Sequence, residues 1–316
     1  MKKNNDAKLG LKLNKSKCEI TSTARRSQNS CCEAFNSFQI TNLENLFFLG
    51  SLILPGSAVD QALEQRINDL KTAISRLSTL QAHDALVILR ISLSIPKLMY
   101  TLRTASCHDS SWLVEFDNAL KNGLSSILNV GLSDDQWNQA SLPVRDGGLG
   151  IRSAASLVTS AFLASSARMN ELQSRILPDA AFMILEEVCE TTLQAWSMQS
   201  RTSAPNGVEA CSQKVWDSKC IQIIKDSLMT NALSNKDKAR LLASQAPYAH
   251  SGDWLFATPI TAIGLRMSNE VIRVAVGMRL GTRLCEPRTC SCGSFVDARG
   301  LHGLSCRRSA GRHMTK

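Results

Sequence analysis

The stretch SAVDQALEQRINDLKTAISRLSTL, residues 57–80, decides the fold class. Leu63, Ile67, Leu70, Ile74, Leu77 and Leu80 recur at steps of four, three, four, three and three. That spacing is one apolar face of an amphipathic helix. A second helix is expected between His83 and Arg103, kinked or divided at Pro96. A third carries Trp112, Phe116, Leu120, Leu124, Ile127 and Leu128. Such helices draw most of their stability from burying their apolar faces, so they must pack on one another. Breakers interrupt the pattern too soon for a coiled coil.

Outward from this region the pattern changes. In LGLKLNKSKCEI (residues 9–20), Leu9, Leu11 and Leu13 alternate with Gly10 and Lys12, the period of a half-exposed strand. A polar, loop-like segment covers about residues 21–45. LFFLGSLIL (46–54), stopped by Pro55 and Gly56, reads as a short strand pair. LPVRDGGLGIRSA (142–154) reads as a glycine-rich turn into a further helix. Its spacing fits neither glycine fingerprint for phosphate, and no strong strand precedes it. Helix continues to about Gln199, TSAPNG (202–207) has linker chemistry, and a second mainly helical section reaches Leu284. The expected fold class is mainly α: a helical bundle with a small β remnant at the N-terminus and a small metal-binding knuckle at the C-terminus. Its segments are 1–56, 57–201, 208–284 and 285–316.

Composition narrows the function classes. Of 316 residues, 44% are hydrophobic and 20% charged, ordinary for a globular protein. Aromatics at 5% argue against an extended base-stacking platform. Aliphatic runs such as Ala85 to Leu89 fall far short of the roughly 20 residues of a membrane span, and the Lys-rich start has no apolar signal core. Eleven cysteines, an odd number, then point to reduced thiols. The expectation is an intracellular protein, cytoplasmic or nuclear, without a membrane partner. Net charge is +9, with about +6 in residues 1–26 and +6 in 279–316, leaving the middle near −3. Basic ends on a near-neutral body suit a polyanion such as RNA or DNA, the alternative being solvated basic tails.

The densest chemical motif is terminal: CSCG…LHGLSC followed by RRSAGRH. Cys290, Cys292, His302 and Cys306 offer three thiolates and one imidazole, a soft set suited to tetrahedral Zn²⁺ in a filled, structural site. One residue between the first two cysteines is tighter than usual, and Cys285 or His313 could substitute as ligands. The competing reading is a basic tail with incidental thiols. Arg299, Arg307, Arg308 and Arg312 interleave with the motif, as phosphate contacts would. No paired-carboxylate site for Mg²⁺ stands out. Asp134 and Asp135 sit in LSDDQW, where Ser133 and Gln136 have capping-box spacing. Glu186 and Glu187 read as a solvated face. His83, His108 and His250 read as cap or surface groups with no recognisable nucleophile.

Several segments, in order, resemble non-LTR retrotransposon reverse transcriptases. GLKLNKSKCEI resembles their late palm, FFLGSLI the primer grip, and SIPKLMYTLRT and LPVRDGGLGIRSA two thumb segments. WLFATP, GLRMSNEVIRVAVGMRLGT and CSCGSFVDARGLHGLSCRRSAGRH resemble the post-thumb region and zinc knuckle. The resemblance implies that Lys17 lies near the incoming nucleotide's phosphates, that Phe48, Leu49 and Gly50 belong to the primer grip, and that Arg103 faces the duplex. It makes Cys290, Cys292, His302 and Cys306 the knuckle ligands. Fingers, the first palm carboxylate and the Asp-Asp hairpin would all precede Met1. The implied function is therefore nucleic-acid contact by a truncated reverse transcriptase, with structural zinc, no Mg²⁺ site, no catalytic residues and no polymerase activity of its own. The alternatives are a helical interaction scaffold with basic ends and a non-functional pseudogene product.

Overall fold

The computed structural model describes residues 14–21, 38–41, 47–48, 51–52, 56–176, 179–245 and 250–308. It is mainly α-helical, as the periodicities require. Three short strand pairs flank the helices. β1 (Glu19–Ile20) pairs in parallel with β2 (Gln39–Ile40), and β3 (Phe47–Phe48) pairs antiparallel with β4 (Ser51–Leu52). The second is the strand pair expected in LFFLGSLIL. The strand expected around Leu9, Leu11 and Leu13 lies outside the described residues, as does most of the loop expected at 21–45. Near the C-terminus, β5 (Arg288–Thr289) pairs antiparallel with β6 (Phe295–Val296).

The first helix, α1 (Ser57–Leu77), buries Val59, Leu63, Ile67, Leu70 and Leu77, so the sequence stripe is the packed face. Leu80 lies beyond the helix end and is exposed. The partner is α4 (Trp112–Leu128), which buries Leu113, Phe116, Leu120, Leu124 and Leu128. Gly123 permits the close approach: a Cβ there would meet Ile74 Cδ1 of α1 at 2.5 Å.

Between them, α2 (Ala82–Ile88) runs through a π-helical turn at Leu89–Leu93. The chain breaks at Ser94 before α3 (Ile95–Thr104), whose first turn holds Pro96. Proline is tolerated there because that N–H has no intrahelical acceptor. The expected helix is thus divided just before the proline. By length and composition alone, residues 82–104 could cross a membrane. Here Ala85, Leu86, Leu89, Leu98 and Leu102 are buried in the protein's own core, while Ile88 and Ile91 are exposed.

Short α5 (Asp134–Ala140) has the capping box read from the sequence. Ser133 accepts from the Gln136 N–H, and the Gln136 amide oxygen accepts from the Ser133 N–H. The long α6 (Ala154–Ile176) packs against α3, then against α7 (Asp179–Ser200) and α8 (Gln213–Asn231). The N-terminus of α6 is capped from another helix. Buried Asp117 of α4 accepts from the N–H groups of Ala154 (2.7 Å) and Ala155 (3.2 Å) and from the Ser153 hydroxyl (2.5 Å). A carboxylate suits helix-terminal donors. Burial raises the Asp117 pKa, and these hydrogen bonds oppose the rise. Arg152 forks onto Asp217 of α8 at 2.6 and 2.7 Å.

The chain closes through α9 (Asn235–Ser244) and α10 (Asn269–Leu280). Ile272, Val276 and Leu280 of α10 join the same core as Leu63, Phe116 and Leu120. The helical stretches on either side of residues 202–207 therefore share one interior.

A buried arginine completes that join. Arg279, 7% exposed, has no carboxylate partner among the described residues. Its guanidinium donates to the carbonyls of Gly148 (3.0 Å), Val144 (2.8 Å), Ser251 (2.9 Å) and Ser244 (3.2 Å). Two of these acceptors belong to the glycine-rich turn. Gly147 and Gly150 adopt positive φ of 91° and 76°. A Cβ at Gly148 would lie 2.0 Å from the Leu142 carbonyl oxygen. The glycines are there for backbone packing, and no phosphate loop is formed.

His83 also departs from expectation. It stands at the start of α2, but it is 1% exposed, and its Nδ1 accepts the Met267 N–H at 3.1 Å. The reason is that α10 and the segment before it lie over this end of α2, which local sequence cannot reveal.

Two outcomes are expected. Arg279→Met, which strands the Gly148 and Ser251 carbonyls and takes one of two donors from those of Val144 and Ser244, should lower unfolding stability by about 3–5 kcal/mol. A urea midpoint within error of the parent would remove the structural role assigned to Arg279. His83 has its pKa lowered by burial, so the folded state binds its proton less readily than the unfolded state does. Its contribution to stability is present above the usual histidine pKa and is lost as pH falls below it. His83→Asn should therefore flatten the decline in urea midpoint between pH 7 and 5; an undiminished slope would assign the decline to other groups.

Candidate metal centre

The C-terminal segment is poor in core. Between residues 283 and 308 only Val296 and Cys306 are buried. Apolar burial on that scale cannot hold a fold, and small segments of this kind depend on cross-links or metals.

Backbone geometry gathers the ligands. The β5–β6 hairpin reverses through residues 290–294, with the Cys290 N–H donating to the Ser294 carbonyl (2.9 Å) and the Gly293 N–H to the Cys290 carbonyl (2.8 Å). Gly293 takes a left-handed φ of 87°. Cys290 and Cys292 both lie on this reversal, which accounts for their one-residue spacing. Beyond β6, the Asp297 carbonyl accepts from the Gly300 N–H and its carboxylate from the Leu301 N–H, turning the chain into α11 (His302–Ser305). His302 and Cys306 are four residues apart, so one helical turn sets them on the same side.

All four candidate ligands converge. Their donor atoms lie within 4.8 Å of one another. Cys290 Sγ is 3.6 Å from Cys306 Sγ, and Cys292 Sγ is 3.1 Å from His302 Nε2. Metal–thiolate bonds of about 2.3 Å put tetrahedral sulfurs roughly 3.8 Å apart, close to the sulfur pair here. The four donors do not shift alike: the Arg308 N–H lowers Cys306, but burial and its contacts with Cys290 and Cys292 raise it overall. Hydrogen bonds from the Ser294 side chain and backbone hold the Cys292 thiol down at about 6. The Cys292 backbone N–H likewise lowers Cys290, while hydrogen bonding to Cys290 and Cys292 raises His302. Cys306 Sγ also accepts the Arg308 N–H at 3.4 Å, an orienting contact typical of a ligand's surroundings. The set is compatible with a structural metal. Cys285 is not a member, for its thiol donates to the Asp297 carbonyl at 3.3 Å. His313 lies outside the described residues.

Compared with known proteins, the chain matches no protein-family model and no curated protein.

The other candidate residues are dispersed. Lys17 ends a 3-10 turn, Lys15–Lys17, and is exposed. Phe48 lies in β3, while Leu49, Gly50 and Arg312 fall outside the described residues. Arg103 is exposed and donates to the Gln213 side-chain oxygen at 2.9 and 3.3 Å. Arg299 pairs with Asp237 of α9, which docks the hairpin segment on the helical body. Arg308 donates to the Ser291 carbonyl at 2.6 Å, across the turn that carries the first two cysteines. Arg307 is exposed and has no carboxylate partner among the described residues. The residues missed from sequence are Arg279, Asp117 and Asp237, each defined by a partner distant along the chain.

Among the described residues, the adjacent aspartates Asp134 and Asp135 turn to separate partners. Asp134 pairs with Lys121 at 2.7 Å, and Asp135 accepts from Asn231 at 3.0 Å. Among the described residues, the cysteine–histidine quartet is the one gathering of three or more potential metal ligands. His108 is half-buried with Ser106 and Thr192 hydroxyls at 3.2 and 3.4 Å, and His250 pairs with Asp253 at 2.7 Å.

Purified chain should carry one metal ion per molecule by elemental analysis, and Cys306→Ser should lose it. Metal-free protein that keeps its C-terminal segment protected from protease would remove the site.

Proposed function

We propose that this chain is a nucleic-acid-holding part of a non-LTR retrotransposon reverse transcriptase. In this reading the helical body is the thumb and post-thumb region, and the C-terminal hairpin with α11 is a zinc knuckle. Zinc suits the four sites because three thiolates and an imidazole match its softness and its tetrahedral habit. Filling all four positions with protein ligands makes the ion structural.

The observation that carries the proposal is the quartet within a basic surface. Cys290, Cys292, His302 and Cys306 converge in a segment whose described charges are five arginines (Arg283, Arg288, Arg299, Arg307 and Arg308) against Glu286 and Asp297. Support comes also from the order of segments resembling that family and from the helical body beneath them. The chain's own task in this reading is to grip template or target, with chemistry supplied elsewhere.

Binding should then be electrostatic in character. The logarithm of the association constant for a labelled RNA or DNA should fall linearly with log salt, by about 0.7–0.9 per phosphate neutralised. Arg307→Ala should lower that slope by about one. Binding that ignores salt, or none at all, would return the chain to the class of protein–protein scaffolds. The isolated chain should not extend a primed RNA template with Mg²⁺ present; measurable extension sinks the non-catalytic assignment.

A further inference from the structure

A cleft of about 650 Å³ opens between α10 and the cysteine–histidine hairpin. That volume falls within the roughly 300–1,000 Å³ of small-ligand sites. Apolar lining comes from Val274 and Met278 of α10, Leu284 of the connection and Leu304 of the hairpin segment, and the cleft also takes in Cys290, His302 and Cys306 of the quartet. Val274 is 44% exposed and Leu304 is 51% exposed, so the cleft is open to solvent. Its polar rim includes Arg288, Arg299 and Arg308, and no Asp or Glu lines it.

The three arginines are not equivalent. Arg299 is held by Asp237 and Arg308 spends one nitrogen on the Ser291 carbonyl, which fixes both guanidinium groups in place. Arg288 is exposed and has no carboxylate partner among the described residues. A partly apolar slot whose acid-free lining carries three arginines favours a ligand with a flat, weakly polar face and attached negative charge. An aliphatic side chain of a protein partner would satisfy the walls and leave the rim unanswered. A nucleobase with its flanking phosphates answers both.

We propose that this cleft receives one unstacked base of a single-stranded nucleic acid, with the adjoining phosphates on Arg288 and Arg308. The inference rests on the nucleic-acid reading above and adds a strand preference to it. A duplex keeps its bases stacked and paired, so it reaches the arginines without entering the slot. Single strands offer bases that leave the stack at modest cost.

The test uses the full, metal-loaded chain with a fluorescent single-stranded RNA 12-mer and a blunt duplex of the same length. Val274→Glu puts a carboxylate into the slot from α10, on the wall opposite the metal ligands. It should weaken single-strand binding about tenfold and leave duplex binding within about twofold, with metal content unchanged. Arg288→Ala should weaken both. A 4-thiouridine in the strand should crosslink to Met278 or Leu304 by mass spectrometry. Equal loss on both nucleic acids, or no loss with Val274→Glu, overturns the base slot while leaving nucleic-acid binding intact. Uridine monophosphate binding as tightly as the 12-mer would make the ligand a free nucleotide and overturn the strand assignment. Failure of the parent chain to bind either oligonucleotide would defeat the broader function and this inference together.

Discussion

A single guanidinium holds the two halves of the helical body in register. Arg279 sits on the apolar side of α10 and reaches carbonyls of the glycine-rich turn, the end of α9 and the loop at Ser251. A buried arginine without a carboxylate is costly unless its donors are occupied, and backbone carbonyls occupy them here. The price is strict geometry around it. Gly148 has no room for a side chain, Gly147 must be left-handed, and Gln139 donates to both the Gly147 and Arg279 carbonyls. The glycine turn is thus a socket shaped for one side chain.

Away from that socket, ordinary burial maintains the structure. Helices α1, α2, α3, α4 and α6 supply most of the main interior, and α10 adds Ile272, Val276 and Leu280 to it. A smaller cluster forms where Trp196 and Trp216 meet edge to face, with centroids 4.7 Å apart, beside Cys220. The C-terminal hairpin follows other physics. Among the described residues beyond Arg283 only Val296 and Cys306 are buried, and the ion pair of Arg299 with Asp237 ties the segment to the body.

Much of this was legible before any coordinates. The stripe from Leu63 to Leu77, the division near Pro96, and the Ser133–Gln136 box are local signals, and each has the form that its spacing requires. The ligand quartet was legible because its four members lie within seventeen residues and two short turns can bring them together. The rest depends on contacts across the chain. Arg279 falls on the stripe with Ile272 and Val276, and Asp117 on that with Leu113 and Leu124; a charge on an apolar face was the available clue to both. Nothing local marks Asp237 as the partner of Arg299, sixty-two residues later. His83 looked like a surface cap because the residues that cover it come nearly two hundred positions on. Lys17 and Arg103, grouped by family likeness, carry no chemical relation to each other that spacing could disclose.

The ionic contacts of the C-terminal region also form a continuous path. Arg299 grips Asp237, Asp237 lies 3.8 Å from Arg240, and Arg240 donates to Gln139 and to the Arg279 carbonyl. A tug on the hairpin is therefore passed, link by link, into the socket around Arg279. The appendage and the bundle are thus coupled by polar contacts as well as by the chain that joins them.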